Sequence, residues 1–488
     1  MKFQSVLVAL GTVFLASCGG GGGGGASSTP PPVTNPPPPD SGIDRGGVAQ
    51  GVITGFGSIF VNGIRFDTSS ASFTIDDNPG SESDLDVGKV VTVTGSIDDD
   101  GQNGTADDVI FDDEVEGPID SIDIAAATLV VLGQLVIVDA GTLFDDSIVP
   151  NALDGLSVGQ VVEVSGFVGA DGSITATYIE LTNDTEFEIT GTVSALDTGA
   201  MTFEINGQVI DYSGATLEDF PAGQIEDGMR VEAEGTTIGS NGELAATRVE
   251  FEDDDLPGEE DDDVEIEGFI TRFTSATDFD VSGHAVTTTG STIFENGTAA
   301  DLAEGVKVEV EGNFDSNGVL VAEKVSLRQN ADIELEAMVD STDVNGGTLT
   351  VLGLVIATTD VTRFEDDSDQ SQSTFGLGDI SSGNWVEVKA YLDESGNLIA
   401  TQVERDDAED EVEIKAAVEA VARPDLQVLG LTIQTDANTE YEDINELPLS
   451  ADDFFAQVDV ATRVQIRGAV LSGNVILASE IELEEEDD

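Results

Sequence analysis

Short segments in which apolar and polar residues alternate recur along nearly the whole chain after residue 48. Phe187, Ile189 and Val193 lie on one such segment, and Phe203 and Ile205 lie on the next. A period of two residues is typical of β-strands that bury one face. The pattern therefore predicts an all-β protein built from short strands.

One feature of these segments repeats at nearly even intervals. An alanine followed three residues later by valine or isoleucine occurs six times, with successive alanines 70, 70, 76, 78 and 78 residues apart. Self-similarity at a fixed period indicates an array of one structural unit. The six pairs are Ala106/Val109, Ala176/Ile179, Ala246/Val249, Ala322/Val325, Ala400/Val403 and Ala478/Ile481. We assign repeats 1 to 6 to residues 49–113, 114–182, 186–252, 264–328, 332–405 and 411–484.

Each repeat carries signals for five strands. Asn206-Gly207 separates two alternating runs, and this dipeptide is a strong hairpin signal because both turn residues need positive φ. A less regular segment, which could hold a helical turn, follows the third strand at 218–227. Five strands with an insert between the third and fourth are the order of the OB-fold, a Greek-key barrel. We expect six such OB-like barrels as separate beads, in preference to a solenoid, because about 70 residues suffice to enclose a core.

These motifs resemble a known family. A Gly-x-Val/Ile start, a glycine turn, a Thr-x-Phe element, a Gly-x-x-Val-x-Val-x-Gly strand and the alanine signature recur. Together they are similar to bacterial envelope repeats catalogued as domain of unknown function 5666, over nearly all of residues 49–484. Thr-x-Phe is absent from repeats 1 and 3. The resemblance implies an envelope location and a repeat architecture, and it brings no known activity. The motif stands at Thr142-Leu143-Phe144, Thr292-Ile293-Phe294 and Thr362-Arg363-Phe364, with tyrosine in Thr439-Glu440-Tyr441.

The N-terminal residues predict export and a lipid anchor. Residues 1–17 combine Lys2 with an apolar run too short to span a bilayer, which is typical of a signal peptide. The run ends in Leu15-Ala16-Ser17-Cys18, which resembles a lipobox, so we expect Cys18 to be lipidated. Glycine and proline dominate residues 18–48, which predicts a tether. Glycine rather than aspartate follows Cys18 and favours the outer membrane, at its periplasmic face or the cell surface.

Charge narrows the set of partners. The chain has 98 Asp and Glu residues against 17 Lys and Arg, a net charge of −81. Nucleic-acid binding depends on cationic contacts to phosphates, so it is not expected. Self-repulsion of this size is relieved by salt or divalent cations. A salty habitat and simple solubility both account for the composition. The acidic linker 253–263 separates repeats 3 and 4.

Most catalytic chemistry is disfavoured. His284 is the one histidine and Cys18 the one cysteine, so a nucleophile with a histidine base and a zinc site are both unexpected. Carboxylates are abundant, but abundance alone does not identify a catalytic pair. We therefore predict that the protein is not an enzyme. The alternative is a carbohydrate-active enzyme that uses paired carboxylates in one specialised repeat.

Calcium is the one cofactor that the sequence suggests. Residues 98–108 place many oxygen ligands around two glycines, and Ca²⁺ takes six to eight oxygens in proteins. The spacing is not that of an EF-hand, and a solvated hairpin loop explains the same residues. The candidate ligands are Asp98, Asp100, Asn103, Asp107 and Asp108.

Together these features predict a non-enzymatic, lipid-anchored protein of the cell envelope. Its barrel array would be a binding or structural module, stabilised by calcium. The expected partners are the membrane, through the lipid anchor, and an envelope glycan or protein ligand.

Overall fold

The computed structural model describes residues 46–98, 101–183, 185–221, 223–252, 256–258, 260, 262–368, 370, 372, 374–393, 395–444 and 447–484. Each of the six repeats contains five main strands, which we number first to fifth within the repeat. Most repeats add a short strand after the third, here called the side strand. In repeat 4 the third strand and the side strand form one continuous element.

The main strands of the first three repeats are as follows. Repeat 1 has Gly46–Gly55, Ile59–Val61, Ile64–Asp67, Val90–Ile97 and Asn103–Phe111. Repeat 2 has Val115–Asp123, Thr128–Val131, Gln134–Ile137, Val161–Val168 and Ile174–Thr182. Repeat 3 has Phe187–Asp197, Thr202–Ile205, Gln208–Asp211, Arg230–Ile238 and Leu244–Phe251. The first strand of repeat 1 thus begins three residues before position 49, inside the segment assigned to the tether.

The last three repeats follow the same order. Repeat 4 has Asp263–Ser275, Asp278–Val281, His284–Glu295, Lys307–Phe314 and Leu320–Leu327. Repeat 5 has Ile333–Asp343, Thr348–Val351, Leu354–Ala357, Trp385–Leu392 and Leu398–Asp406. Repeat 6 has Val412–Ala422, Asp425–Val428, Leu431–Gln434, Arg463–Ser472 and Val475–Leu483.

Each repeat closes into a barrel. The first strand pairs with the second, the second with the third, the third with the fifth, the fifth with the fourth, and the fourth with the first. The third and fifth strands are parallel and the other pairs are antiparallel, as the registers of repeat 2 illustrate. The predicted all-β, five-stranded, OB-like barrel is therefore confirmed.

The insert between the third and fourth strands is mostly extended. Its side strand pairs in parallel with the fifth strand; the separate side strands are Ser72–Ile75, Leu143–Phe144, Thr216–Glu218, Arg363–Asp366 and Glu440–Glu442. Repeat 1 continues with the short strand Asn78–Pro79. Single 3₁₀ turns follow at Glu82–Asp84, Leu153–Gly155 and Leu377–Asp379, and among the described residues the α-helix is Ala451–Gln457.

The predicted turns between the second and third strands have the expected backbone. Both turn residues have positive φ in every repeat, as in Asn206 (47°) and Gly207 (89°). This is the type I′ geometry, whose twist matches that of the flanking strands. Leucine takes the first turn position in three repeats, at Leu132, Leu352 and Leu429.

The alanine signature marks a β-bulge. In repeat 2, Ala176 lies opposite Gly166, and the register shifts between Ser165 and Gly166. A side chain at Gly166 would collide with the carbonyl oxygen of Thr175, so the two strands approach closely. The same pairing and shift recur in the other five repeats, with Ala390 replacing the glycine in repeat 5. The small size of the alanine is thus a consequence of close strand contact.

The Thr-x-Phe motif contacts the same β-bulge. The hydroxyl of Thr142 donates to the carbonyl oxygen of Ala176 at 2.8 Å, and Phe144 pairs with Ile179 in the fifth strand. The equivalent threonines of repeats 4, 5 and 6 make the same bond. Ala71 and Ala215 occupy this position in repeats 1 and 3, which lack the motif. The Thr-x-Phe motif and the alanine signature therefore supply the two partners of one hydrogen bond.

The barrels are not separate beads, and this expectation was wrong. The second strand covers only the C-terminal part of one edge of each first strand, so the N-terminal part of that edge is an outer edge of the barrel. This outer edge pairs with the first strand of another repeat, which creates three 12-stranded sheets. Repeats 2 and 3 pair antiparallel at Val115 and Ile189, and repeats 5 and 6 pair antiparallel at Leu335 and Ile414. Repeats 1 and 4 pair in parallel over residues 47–50 and 263–266. An exposed strand edge attracts another strand, and this pairing satisfies it.

The cores follow the same grouping. The apolar interiors of repeats 2 and 3 form one continuous cluster, as do those of repeats 5 and 6. Repeats 1 and 4 keep separate clusters although they share a sheet. Antiparallel pairing of first strands thus joins two cores.

The hydrogen bond of Thr142 provides a test of the bulge. The substitution Thr142→Val removes a buried hydroxyl that donates to Ala176 and accepts from the backbone N–H of Asp139. We expect a loss of about 1–3 kcal/mol, since the buried carbonyl of Ala176 and the half-buried N–H of Asp139 lose their partner. Hydrogen exchange of residues 174–182 should become faster, whereas Thr142→Ser should exchange like the wild type. Equal exchange in the valine variant would contradict this role.

Candidate cation site

The loop that the sequence analysis selected for calcium lies on an exposed hairpin of repeat 1. Asp98 follows the fourth strand, and its backbone N–H donates to the carbonyl oxygen of Asn103 at 2.8 Å. Asp107 and Asp108 are exposed on the fifth strand, and Asp100 lies outside the described residues. The described members of this set do not share a group of three closely spaced ligand atoms. A calcium site in this loop stays a prediction.

A different set of carboxylates converges where repeats 1, 2 and 3 meet. Ligand oxygens of Asp76, Asp113 and Glu163 all lie within 4.8 Å of one another. Asp113 is 3% exposed, and its Oδ1 has no hydrogen-bond partner among the described residues. Glu188, which is 7% exposed, also has a buried oxygen without a partner in this part of the chain. Carboxylate oxygens are the ligands that Ca²⁺ prefers.

Local structure places each of these side chains. Asp76 and Asp77 form the turn after the side strand of repeat 1, with φ of 42° and 57°. Asp and Asn tolerate this left-handed region better than other side chains. The backbone N–H of Asp113, which lies between the barrels of repeats 1 and 2, donates to Oδ1 of Asp76 at 3.3 Å. The turn of one repeat and the junction segment therefore hold two carboxylates together.

Strand register adds more negative charge to this place. Glu116 lies directly opposite Glu163 on one side and opposite Glu188 on the other. Glu188 in turn lies opposite Glu234. Four glutamates on four adjacent strands thus form one row, and like charges directly opposite each other destabilise a sheet.

The pKa values reflect this crowding. Burial, reinforced by the negative charges of Glu188 and Glu163, raises the pKa of Asp113 well above its usual range. Burial followed by the charge of Glu163 raises the pKa of Asp76 to about 7. The pKa of Glu188 is also raised well above normal by burial and by Glu232. Each group therefore favours a proton, or an external cation, over a bare negative charge.

Two internal cations reach the ends of this arrangement. The Lys89 Nζ lies 2.9 Å from Glu163 Oε1 and 3.1 Å from Glu180 Oε2. Arg248 contacts several carboxylates at the other end, including Glu234. Among the described residues, neither Asp113 nor Glu188 has an ion-pair partner, so compensation is incomplete at the centre.

Repeats 5 and 6 contain a matching row that is better compensated. Glu336 lies opposite Glu387 and Glu413, just as Glu116 lies opposite Glu163 and Glu188. Lys389 lies two residues after Glu387, and Lys415 lies two residues after Glu413, on the same strands. The Lys389 Nζ lies 3.3 Å from Glu387, and Lys415 Nζ lies 4.0 Å from Glu334.

The row in repeats 2 and 3 has no cation at these two places. Ser165 occupies the position of Lys389, and Thr190 occupies the position of Lys415. The same chain thus builds the row twice, once with lysines and once without. The second version is the one that also receives Asp76 and Asp113. This difference makes the junction of repeats 1 to 3 the better candidate for a bound cation.

Other carboxylate groups are more accessible. Three further groups of three have ligand atoms within the same spacing: Asp77, Glu232 and Glu234; Asp367, Glu404 and Asp406; and Glu442, Glu480 and Glu482. Arg248 already contacts all three members of the first group. We therefore regard the group around Asp113 as the candidate cation site.

Sequence reasoning missed this site for a physical reason. Asp112-Asp113-Glu114 reads as an acidic joint, which normally stays in solvent. Two features of the sequence could have indicated the site. Glutamates alternate with apolar residues on neighbouring strands, and repeats 2 and 3 lack the lysines that repeats 5 and 6 have at the matching positions. Finding the site also required knowing which first strands pair.

The predicted lipidation site, Cys18, lies outside the described residues, as do the signal and the tether up to residue 45. No helix in the described part of the chain is long and apolar enough to cross a membrane.

The fold and its repeated signatures define a tandem array of small closed β-barrels. The sequence matches the family described as "Domain of unknown function (DUF5666)" six times, and these matches cover well over half of the chain. The protein therefore belongs to this family, as the motifs predicted. The matched residues are 46–109, 116–180, 190–250, 267–326, 336–404 and 415–482.

Other comparisons add little. No curated protein matches the sequence. A solved structure titled "drosophila Unr CSD456" is similar at 14% identity with a TM-score of 0.12. The match covers 45% of this chain and 97% of that chain, and a likeness at this level supports no conclusion about function.

The pKa of Asp113 leads to a test. A carboxyl whose pKa is raised by folding stabilises the fold below its unfolded pKa, and this contribution is lost as pH rises through the folded pKa. Without divalent cations, the wild type should therefore lose stability as the pH rises from about 4 through about 7, the pKa of the neighbouring Asp76. Asp113→Asn should lose less stability than the wild type over the same rise in pH, because its amide stays neutral.

Thermal unfolding in a chelating buffer across this pH range measures the effect. Asp108→Asn removes the same charge from an exposed position of repeat 1 and serves as the matched control. If both variants show the same pH dependence, burial of Asp113 does not govern it.

Proposed function

We propose that the protein is a non-enzymatic, lipid-anchored protein of the cell envelope whose barrel array is a binding or structural module stabilised by Ca²⁺. The proposal that Ca²⁺ stabilises the array rests on one observation. Asp76, Asp113 and Glu163 converge across repeats 1 and 2, next to Glu188 of repeat 3. The predicted export signal and lipidated Cys18 support the location.

The chemistry of this site suits calcium better than most metals. Its donors are carboxylate oxygens, whereas zinc prefers cysteine and histidine. Asp76, Asp113 and Glu163 would hold the ion, with Glu188 nearby as a further acceptor. A bound divalent cation stabilises the ionised carboxylates and removes the repulsion between facing strands. Because the ligands come from different repeats, binding would fix barrels relative to each other.

An exported location fits this role. Calcium is plentiful outside the cytoplasm, so extracellular sites function with weak affinity. The tether and lipid would hold the array at the outer membrane, at the periplasmic face or the cell surface. Six similar barrels would offer several weak contacts to an envelope glycan or protein, and linked contacts gain from effective concentration.

Calcium dependence tests the stabilising role. At pH 8, millimolar CaCl₂ should raise the thermal midpoint of the wild type relative to NaCl at matched ionic strength, because Ca²⁺ binds the folded junction only. Asp76→Asn/Asp113→Asn should abolish most of this rise. At pH 5 the rise should shrink, since protons compete for the same carboxylates.

A second double variant discriminates between the two candidate places. Asp98→Asn/Asp100→Asn removes the same number of charges from the segment of repeat 1 that the sequence analysis selected for calcium. It should respond to calcium like the wild type. Loss of the response in this variant, with retention in the junction variant, would move the site to the hairpin and refute the present assignment.

The lipid anchor has its own test. In cells of an organism that processes bacterial lipoproteins, the mature chain should begin at Cys18 and carry a mass increase that corresponds to acylation. Cys18→Ser should release the protein from the membrane fraction. A mature chain that begins elsewhere, as determined by mass spectrometry, would contradict the anchor.

A further inference from the structure

A second site lies away from the carboxylate cluster. Residues from repeats 1, 2, 4 and 5 surround a cavity of about 130 Å³. An engineered apolar cavity of about 150 Å³ admits benzene, so this space fits a small ligand or one substituent of a larger one. The lining includes Asp139, Gly141, Glu267, Lys307, Arg328 and Arg363.

The charge of the lining is unusual for this chain. Lys307, Arg328 and Arg363 face two carboxylates, Asp139 and Glu267, which gives the lining a net charge of +1. The whole chain has a net charge of −81. Fifteen of its 17 Lys and Arg residues belong to the described part, and three of these fifteen line this one cavity.

Glu267 holds two of the cations in place. The Lys307 Nζ lies 3.0 Å from Glu267 Oε1 and 4.5 Å from the ring centre of Phe167. The Arg328 Nε lies 3.8 Å from the same carboxylate oxygen, and Arg328 also pairs with Glu309. Burial alone would raise the pKa of Glu267, but Lys307, Arg328 and Arg363 outweigh it and lower that pKa. This carboxylate is therefore ionised, which is opposite to what a general acid requires.

Arg363 is the cation that lacks such a partner. It is 8% exposed, and its guanidinium donates to the carbonyl oxygen of Gly141 at 2.6 Å. Within the described residues, no carboxylate oxygen lies at ion-pair distance from it. Burial lowers the pKa of Arg363 despite the attraction of Asp139 and Glu365. A guanidinium has five N–H donors in a planar fork that matches carboxylate, sulfate and phosphate groups.

We propose that this cavity binds a small oxyanion group, a carboxylate, sulfate or phosphate, through the Arg363 guanidinium, with Lys307 and Arg328 contributing positive charge. The site takes its lining from four repeats, so it exists only in the assembled array. It shares no residue with the calcium site, so separate variants test the two sites. An oxyanion on a sugar or a peptide would reach the cavity as a substituent.

Calorimetric titration of the full chain tests the site. Sodium benzoate, sodium sulfate and sodium phosphate serve as probes, with sodium chloride at matched ionic strength and neutral benzyl alcohol as references. We expect saturable binding of one oxyanion per chain and no saturable binding of benzyl alcohol. Preference among the three probes then identifies the anionic group that the cavity accepts.

Variants assign the binding to Arg363. Arg363→Gln should weaken binding by about tenfold or more, since it removes a charged hydrogen-bond donor. Arg272→Gln is the matched control, because Arg272 pairs with Asp278 and Asp280 and does not line the cavity. If Arg363→Gln fails to fold, Arg363→Lys keeps the charge and should still bind, but more weakly. Absence of saturable binding to all three probes, or an equal loss in the Arg272 variant, would overturn the proposal.

Discussion

The outer edge of each first strand is the constraint on which the rest of the structure depends. Inside a barrel, one edge of the first strand pairs with the fourth strand, and the C-terminal part of the other edge pairs with the second strand. The N-terminal part of that second edge pairs with the first strand of another repeat. Unpaired edges of similar strands invite aggregation, and six tandem copies carry that hazard six times. The chain resolves it internally by forming three pairs, of repeats 1 and 4, 2 and 3, and 5 and 6.

This pairing has an electrostatic consequence. In the antiparallel pairs it aligns glutamates on neighbouring strands, such as Glu116 with Glu188 and Glu336 with Glu413. In repeats 5 and 6, Lys415 compensates part of this negative charge, whereas repeats 2 and 3 have Thr190 at the matching position. The candidate cation site is thus a product of the fold rather than a separate motif. Three of the fifteen described Lys and Arg residues, Arg363 among them, line a cavity formed by four repeats.

Local patterns were sufficient to predict the repeat, its strands and its turns. Alternation, the hairpin glycines and the alanine spacing are properties of one repeat, and each sits where the pattern indicated. Which repeats would pair was not predictable, because Val48 and Val264 are partners across more than two hundred residues. The candidate cation site was not predictable for the same reason. The sequence around Asp113 is typical of a solvated segment, and this residue is buried only where three repeats meet. The exposed hairpin around Asp98 had the denser run of acids, but sequence density does not measure burial.

Pairing between repeats 1 and 4 is the most direct test of the account. A side chain built at Gly46 would place its Cβ 2.6 Å from Oδ1 of Asp262, so Gly46→Cys/Asp262→Cys in a Cys18→Ser background should form a disulfide on mild oxidation. The neighbours of Gly80 all belong to repeat 1, so Gly80→Cys/Asp262→Cys should remain reduced. Mass spectrometry identifies the cross-linked peptides. If the Gly46 pair stays reduced, or both pairs oxidise equally, the first strands of repeats 1 and 4 do not pair as described.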